Sequence, residues 1–108
     1  MRMFRPIPRA ALPDVMTVRL AAADGGFGEP VVVAGVRFDE AQRESGDEHR
    51  SADNGSGVVF VDAVNTAGAF EVPVGARVSV RGRSYIVKEC HRCEDLFGRC
   101  HHWELKVG

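Results

Sequence analysis

The chain has 108 residues, enough for one domain around one core, with 44% hydrophobic residues, 27% charged residues and a net charge of −1. No run approaches the roughly eighteen apolar residues of a membrane helix, and the charge balance is not basic enough for a dedicated nucleic-acid binder. Twelve glycines favour turns over long helices.

The average charge hides an asymmetry: residues 1–20 sum to +3, residues 21–75 to −7 and residues 76–108 to +3. Such patches are either solvated surface or faces that pair head to tail in a stack of subunits. Basic residues at the start, Arg2, Arg5 and Arg9, have no apolar core after them, which argues against a signal peptide and for folding in a reducing cytoplasm.

Pro6, Pro8 and Pro13 mark residues 1–14 as an extended N-terminal arm, since proline fixes φ and removes a backbone donor. Residues 15–108 then read as the β-domain. Met16, Val18 and Leu20 alternate with Thr17 and Arg19, the period of a half-buried strand. After the Asp24–Gly28 turn a second strand runs from Pro30 to about Phe38, with Val32, Ala34, Val36 and Phe38 expected on one face.

Residues 39–57 form a long polar loop, with six acids, two arginines and almost nothing apolar. A connection of that length in so small a domain points to function or disorder. Any short helix within it, over Glu40–Arg50, would lack an apolar stripe to pack.

Val58–Asn65 is the third strand, Thr66-Ala67-Gly68 turns it, and Pro73-Val74-Gly75 marks another turn beyond Phe70 and Val72. Val78 and Val80 alternate with Arg77, Ser79 and Arg81, and a turn at Gly82 leads into Ser84–Cys90 as a hairpin. The last strand, Cys100–Val107, places His101, Trp103, Leu105 and Val107 on one face, with Trp103 in the core. Cys100, His102, Glu104 and Lys106 take the other. About six short strands and no strong helix predict an all-β domain, a small barrel or sandwich.

All three cysteines fall within thirteen residues that also hold His91, His101 and His102. Cys90, Cys93, Cys100 and His102 would meet across a hairpin and could hold a structural zinc ion. Three other readings stand beside it: small buried hydrophobes, a disulfide formed after release from the cell, and histidines serving packing. No cofactor is required by anything in the sequence. Cys90-His91 and Cys100-His101 are sequence neighbours, so on a strand they point apart and cannot act as a nucleophile and its base. Gly25-Gly26-Phe27-Gly28 lacks the lysine and helix of a phosphate loop. The residues give no catalytic site.

Several segments together resemble the minor capsid proteins of tailed bacteriophages, the head-to-tail connector family with its head-completion or stopper proteins. They are Pro6-Ile7-Pro8, Gly28-Glu29-Pro30, Val36-Arg37-Phe38-Asp39, Phe60-Val61-Asp62-Ala63-Val64-Asn65, Gly82-Arg83-Ser84-Tyr85-Ile86-Val87 and His101-His102-Trp103-Glu104-Leu105. Their order and spacing cover nearly the whole chain. The resemblance implies a virion protein of the neck, assembled in the bacterial cytoplasm as a homo-oligomeric ring, dodecameric ahead of hexameric. Its neighbours would be a portal-bound adaptor and a tail terminator or tail-completion protein. Packaged DNA would be met in the channel without sequence specificity, and no membrane is involved. The cysteines are a departure, since the family pattern does not demand zinc.

Within a ring, Asp39, Glu40, Arg43, Glu44, Asp47, Glu48, Arg50 and Asp53 could project into the lumen and meet the DNA end without adhering to it. The alternative is a loop ordered by a neighbouring subunit, or disordered. The arm, Phe4, Arg5, Pro6, Ile7, Pro8 and Arg9, suits a strap contact with another ring. A second class of function is a small OB-like or zinc-stabilised binding module. It would need aromatics interleaved with basic residues on one sheet face, and the Arg77/Ser79/Arg81 face has none.

Overall fold

A computed structural model describes residues 5–41 and 55–108. Six antiparallel strands close into a barrel: β1 (Asp14–Arg19), β2 (Val31–Glu40), β3 (Gly57–Asp62), β4 (Arg77–Val80), β5 (Arg83–Glu94) and β6 (Cys100–Val107). The order around the wall is β1-β2-β3-β6-β5-β4, and β4 returns to pair with β1. The fold is all-β and the barrel alternative holds. Closure leaves no long open edge along the wall, which suits a protein made in many copies.

The interior is lined from every strand: Met16 and Val18, Val33, Val36 and Phe38, Val59 and Val61, Val78 and Val80, Tyr85 and Val87, Leu105 and Val107. Val72 and Ala76, from the segment before β4, complete it. β-Branched valine suits a pleated wall, and each such side chain contributes about 1.5–3 kcal/mol when fully buried.

One expected face is overturned in β2. Val33 is buried and Val32 is 63% exposed, so Val32 and Ala34 do not share the face of Val36 and Phe38. The cause is Gly35. Asp14 pairs with Val36 and Val15 with Ala34, leaving Gly35 as an extra residue, with φ +81°. A bulge of this kind resets the alternation. It is fixed by Thr66, whose hydroxyl donates to the Gly35 carbonyl at 2.5 Å and accepts the Asp62 N–H at 2.8 Å.

Strand limits also shift. β2 runs on through Asp39 and Glu40, opposite Val58 and Gly57, so these two acids belong to a strand and not to the loop. β3 ends at Asp62 instead of Asn65, because the Asp62 carboxylate folds the chain back on itself. Its Oδ2 accepts from the amides of Val64 (2.9 Å) and Asn65 (2.7 Å). β5 continues four residues past Cys90. The β4–β5 turn is as tight as expected: Arg81 (φ 51°) and Gly82 (φ 76°) both lie in the left-handed region, the two-residue hairpin geometry.

The arm is not extended throughout, since Arg9–Ala11 forms one 3-10 turn and Leu12 is buried. It is laid on its own barrel. The Ile7 amide donates to Asp62 Oδ1 (2.9 Å), and Asn65 Nδ2 donates to the Ile7 carbonyl (2.8 Å).

Register fixes which connections share an end. Glu40 faces Gly57, and Gly57 faces Val107, so the end of β2, the start of β3, the β4–β5 turn and the C-terminal residue gather at one end. Asp62 faces His102, and Cys93 faces His102 from the other side, so the β5–β6 hairpin tip leaves the opposite end.

Candidate functional site

The β5–β6 hairpin carries the densest group of chemically able side chains. Cross-strand pairing places Glu89 opposite Lys106, His91 opposite Glu104, and Cys93 opposite His102. Alternation puts these six on the outward face, while Cys90, opposite Leu105, turns toward the core and packs against it.

On the outward face Cys93 Sγ donates to Glu104 Oε2 (3.6 Å), and His102 Nε2 lies 2.9 Å from the same oxygen. Among the described residues, Cys93, His102 and Glu104 are a group of metal-ligating side chains whose donor atoms all lie within 4.8 Å of one another. His102 continues inward: its Nδ1 is 2.7 Å from His101 Nδ1, and His101 Nε2 is 2.6 Å from the Arg5 carbonyl. The chain of contacts thus runs from the hairpin face to the arm.

Burial pushes the Cys93 thiol up, and the neighbouring Glu104 carboxylate adds to the effect. Burial also raises Cys90, helped by Glu71, and Cys100, where Arg92 acts in the opposite sense. Three thiols held above their usual range are protonated at neutral pH, a poor state for nucleophilic attack. The His102 hydrogen bond holds the Glu104 carboxyl below the usual range, despite some desolvation, so this group is a carboxylate.

Of the four residues that the sequence pointed to for zinc, the fold brings Cys93 and His102 together. Cys90 and Cys100 do not join that group. The spacing of three between Cys90 and Cys93 turns them to opposite faces once β5 runs through both. Cys100 sits past a register shift, and its thiol approaches the His102 carbonyl (3.7 Å). Glu104 enters instead. Its signal was in the sequence, as the residue two beyond His102 on the same strand face.

The hairpin tip is a second feature of the site. Asp95 Oδ1 accepts from the amides of Phe97 (2.8 Å) and Arg99 (3.0 Å), and the Asp95 amide donates to the Arg99 carbonyl (2.9 Å). These bonds order a short loop whose two large apolar side chains point out: Leu96 is 65% exposed and Phe97 70%. Sequence reasoning passed over both, because two apolar residues in a short polar loop carry no period. Trp103, expected in the core, packs at its margin, and its Nε1–H donates to Glu71 (3.1 Å).

The acidic candidates are divided. Asp39 pairs with Arg37 (2.9 Å) and Glu40 lies 3.7 Å from Arg83, both on the barrel surface. Arg43, Glu44, Asp47, Glu48, Arg50 and Asp53 lie outside the described residues, as does Phe4. Of the arm candidates, Arg5 and Ile7 bond to the barrel through their backbone atoms, Pro6 is half-buried, and Pro8 and Arg9 are exposed.

Comparison with curated proteins and with solved structures gave no match. The family model described as Minor capsid protein matches residues 22–107, which span the barrel from the β1–β2 connection to the end of β6. With most of its length matched, and with the all-β barrel in place, the chain belongs to the phage minor capsid protein family.

Proposed function

We propose that this protein is a ring-forming part of the phage head-to-tail connector, of the stopper or head-completion type. It closes the DNA exit channel after packaging and gives the tail a docking face. The family makes it a structural component of the virion; the place in the neck is our reading.

The observation that carries this reading is the hairpin tip. Asp95 holds Leu96 and Phe97 outward at the end of the barrel opposite Asp39 and Glu40. An ordered loop that shows two large apolar side chains to solvent is a contact waiting for a partner. A subunit with distinct surfaces at its two ends suits a ring stacked between two others, a portal-bound adaptor on one side and a tail terminator or tail-completion protein on the other. The exposed side of the arm, at Pro8 and Arg9, offers a further contact within or between rings. A ring of twelve is our first expectation and one of six the second. DNA in the channel is met without sequence specificity.

Electron microscopy of purified virions at side-chain resolution tests the proposal. A symmetric ring of this chain on the axis below the portal, with Phe97 buried against a neighbouring ring, is expected. Absence from the virion, or a position in the capsid shell, would overturn it.

A further inference from the structure

We infer that Cys93, His102 and Glu104 form a zinc-type cation site on the outward face of the β5–β6 hairpin, with His101 and the Arg5 carbonyl as its supporting shell. This site keeps two of the four residues that the cysteine spacing suggests, Cys93 and His102, and adds Glu104. It stands on the fold of the single chain and not on the connector reading.

Two observations carry it. The first is geometric. A thiol, an imidazole nitrogen and a carboxylate oxygen already converge, with 3.6 Å between sulfur and carboxylate and 2.9 Å between nitrogen and carboxylate. Tetrahedral zinc, with bonds of about 2.0–2.3 Å, separates its ligands by roughly 3.3–3.8 Å. Closing on the ion therefore needs small side-chain adjustments. The three side chains are only partly exposed, on a paired β-ribbon whose register is set by the barrel.

The second observation is the support behind His102. Its Nδ1 lies 2.7 Å from His101 Nδ1, and His101 Nε2 lies 2.6 Å from the Arg5 carbonyl oxygen. His102 is thus held from behind while its Nε2 faces Glu104 and Cys93. A ligating histidine whose other nitrogen is engaged by a neighbouring polar group is the usual support of a zinc site.

On binding, the cation takes the place of the Cys93 thiol proton, which passes to solvent, and His102 ligates through Nε2 as the neutral tautomer that carries its proton on Nδ1. The fourth position faces solvent. Solvent water would fill it, since His91, opposite Glu104 in register, is engaged by Glu89 (2.7 Å). Because the supporting shell ends on Arg5, loading the site also tightens the arm on the barrel.

The test uses the reduced full-length chain, titrated with Zn²⁺ and with Co²⁺ as a spectroscopic probe. One equivalent should bind, with a thiolate-to-cobalt charge-transfer band and tetrahedral d–d absorption. C93S should abolish the band. E104Q and H102Q should each lower zinc affinity by tenfold or more, and H101F by about tenfold through loss of the supporting shell. C90S and C100S should bind as the parent does. Circular dichroism of each metal-free variant checks that the barrel is intact. Failure of the parent chain to bind one equivalent would overturn the inference, as would loss of the band in C90S or C100S equal to that in C93S.

Discussion

Arg81 grips Asp14 with two parallel hydrogen bonds, Nε to Oδ1 and Nη2 to Oδ2, each 3.0 Å long. The pair joins the tip of the β4–β5 turn to the first residue of β1, where the barrel closes. Asp14 Oδ2 also accepts the Phe38 amide (2.9 Å), and the Arg81 guanidinium lies 5.5 Å from the centre of the Phe38 ring. Arg81 is the one described non-glycine residue with positive φ, so this grip also holds a backbone conformation that a side-chain-bearing residue disfavours.

This pair has a pH signature. Burial raises the Asp14 pKa, but the Arg81 and Phe38 hydrogen bonds, with the charges of Arg81 and Arg37, outweigh it, and the carboxyl sits below its ordinary value. A carboxyl depressed in the folded state adds stability above its unfolded pKa, near 3.9, and that stability is lost as pH falls through the folded value. Asp14→Asn should lose about 1–2 kcal/mol at neutral pH, since it removes the charge behind both Arg81 bonds while the arginine is half exposed. Urea melts between pH 7 and pH 2.5 should show a shallower acid slope for D14N than for the parent. Identical slopes would mean that Asp14 contributes nothing.

Asp62 is fully buried and accepts three backbone amides, those of Ile7, Val64 and Asn65. Asp62→Ala strands these donors where water does not readily reach them, so we expect a loss of about 2–4 kcal/mol. The arm should come free at the same time. Limited proteolysis within residues 5–12 reads this directly; an arm equally protected in D62A would show that other contacts hold it.

Gly57 has no room for a side chain. A Cβ there would stand 2.5 Å from the Asp39 carbonyl oxygen and 2.5 Å from the Phe38 ring. Gly57→Ala should cost about 1–3 kcal/mol as β2 and β3 are forced apart. Gly28→Ala is the matched control, because its nearest contact would be 3.7 Å away, in ordinary van der Waals range. Equal thermal midpoints for the two variants would contradict the close approach of Phe38.

Leu96 and Phe97 make the opposite prediction. Replacing both with serine should leave stability within about 0.5 kcal/mol, since neither contributes to the core. Particle assembly should suffer instead: lysates carrying the double variant should yield filled heads without tails. Normal tailed particles at parental titre would remove the tip from the contact surface.

How much of this was legible in the sequence depended on how local the determinant is. Val78 and Val80, or Leu105 and Val107, announce their faces by alternation alone, and the structure agrees. The hairpin at Arg81-Gly82 was equally readable, because only a few turn geometries admit two residues between paired strands. The β2 face was not, because it depends on a bulge that Thr66 fixes from thirty-one residues away. Likewise, proline signalled an arm, but its docking on Asp62 is a contact at a separation of fifty-five residues. For the cysteines the open quantity was strand length: a β5 ending at Cys90 leaves Cys93 free to turn back, whereas one reaching Glu94 places it on the far face from Cys90.

The valine lining of the barrel has a mechanical meaning. Ten of the sixteen buried apolar residues among those described are valine, a side chain with a single torsion and few ways to repack. A wall filled this way is a stiff spacer, with little compressibility to absorb a push. In the neck position proposed above, load arriving at one end of such a subunit would pass to the other almost undiminished, and the wall would keep its shape while its contacts with neighbours change.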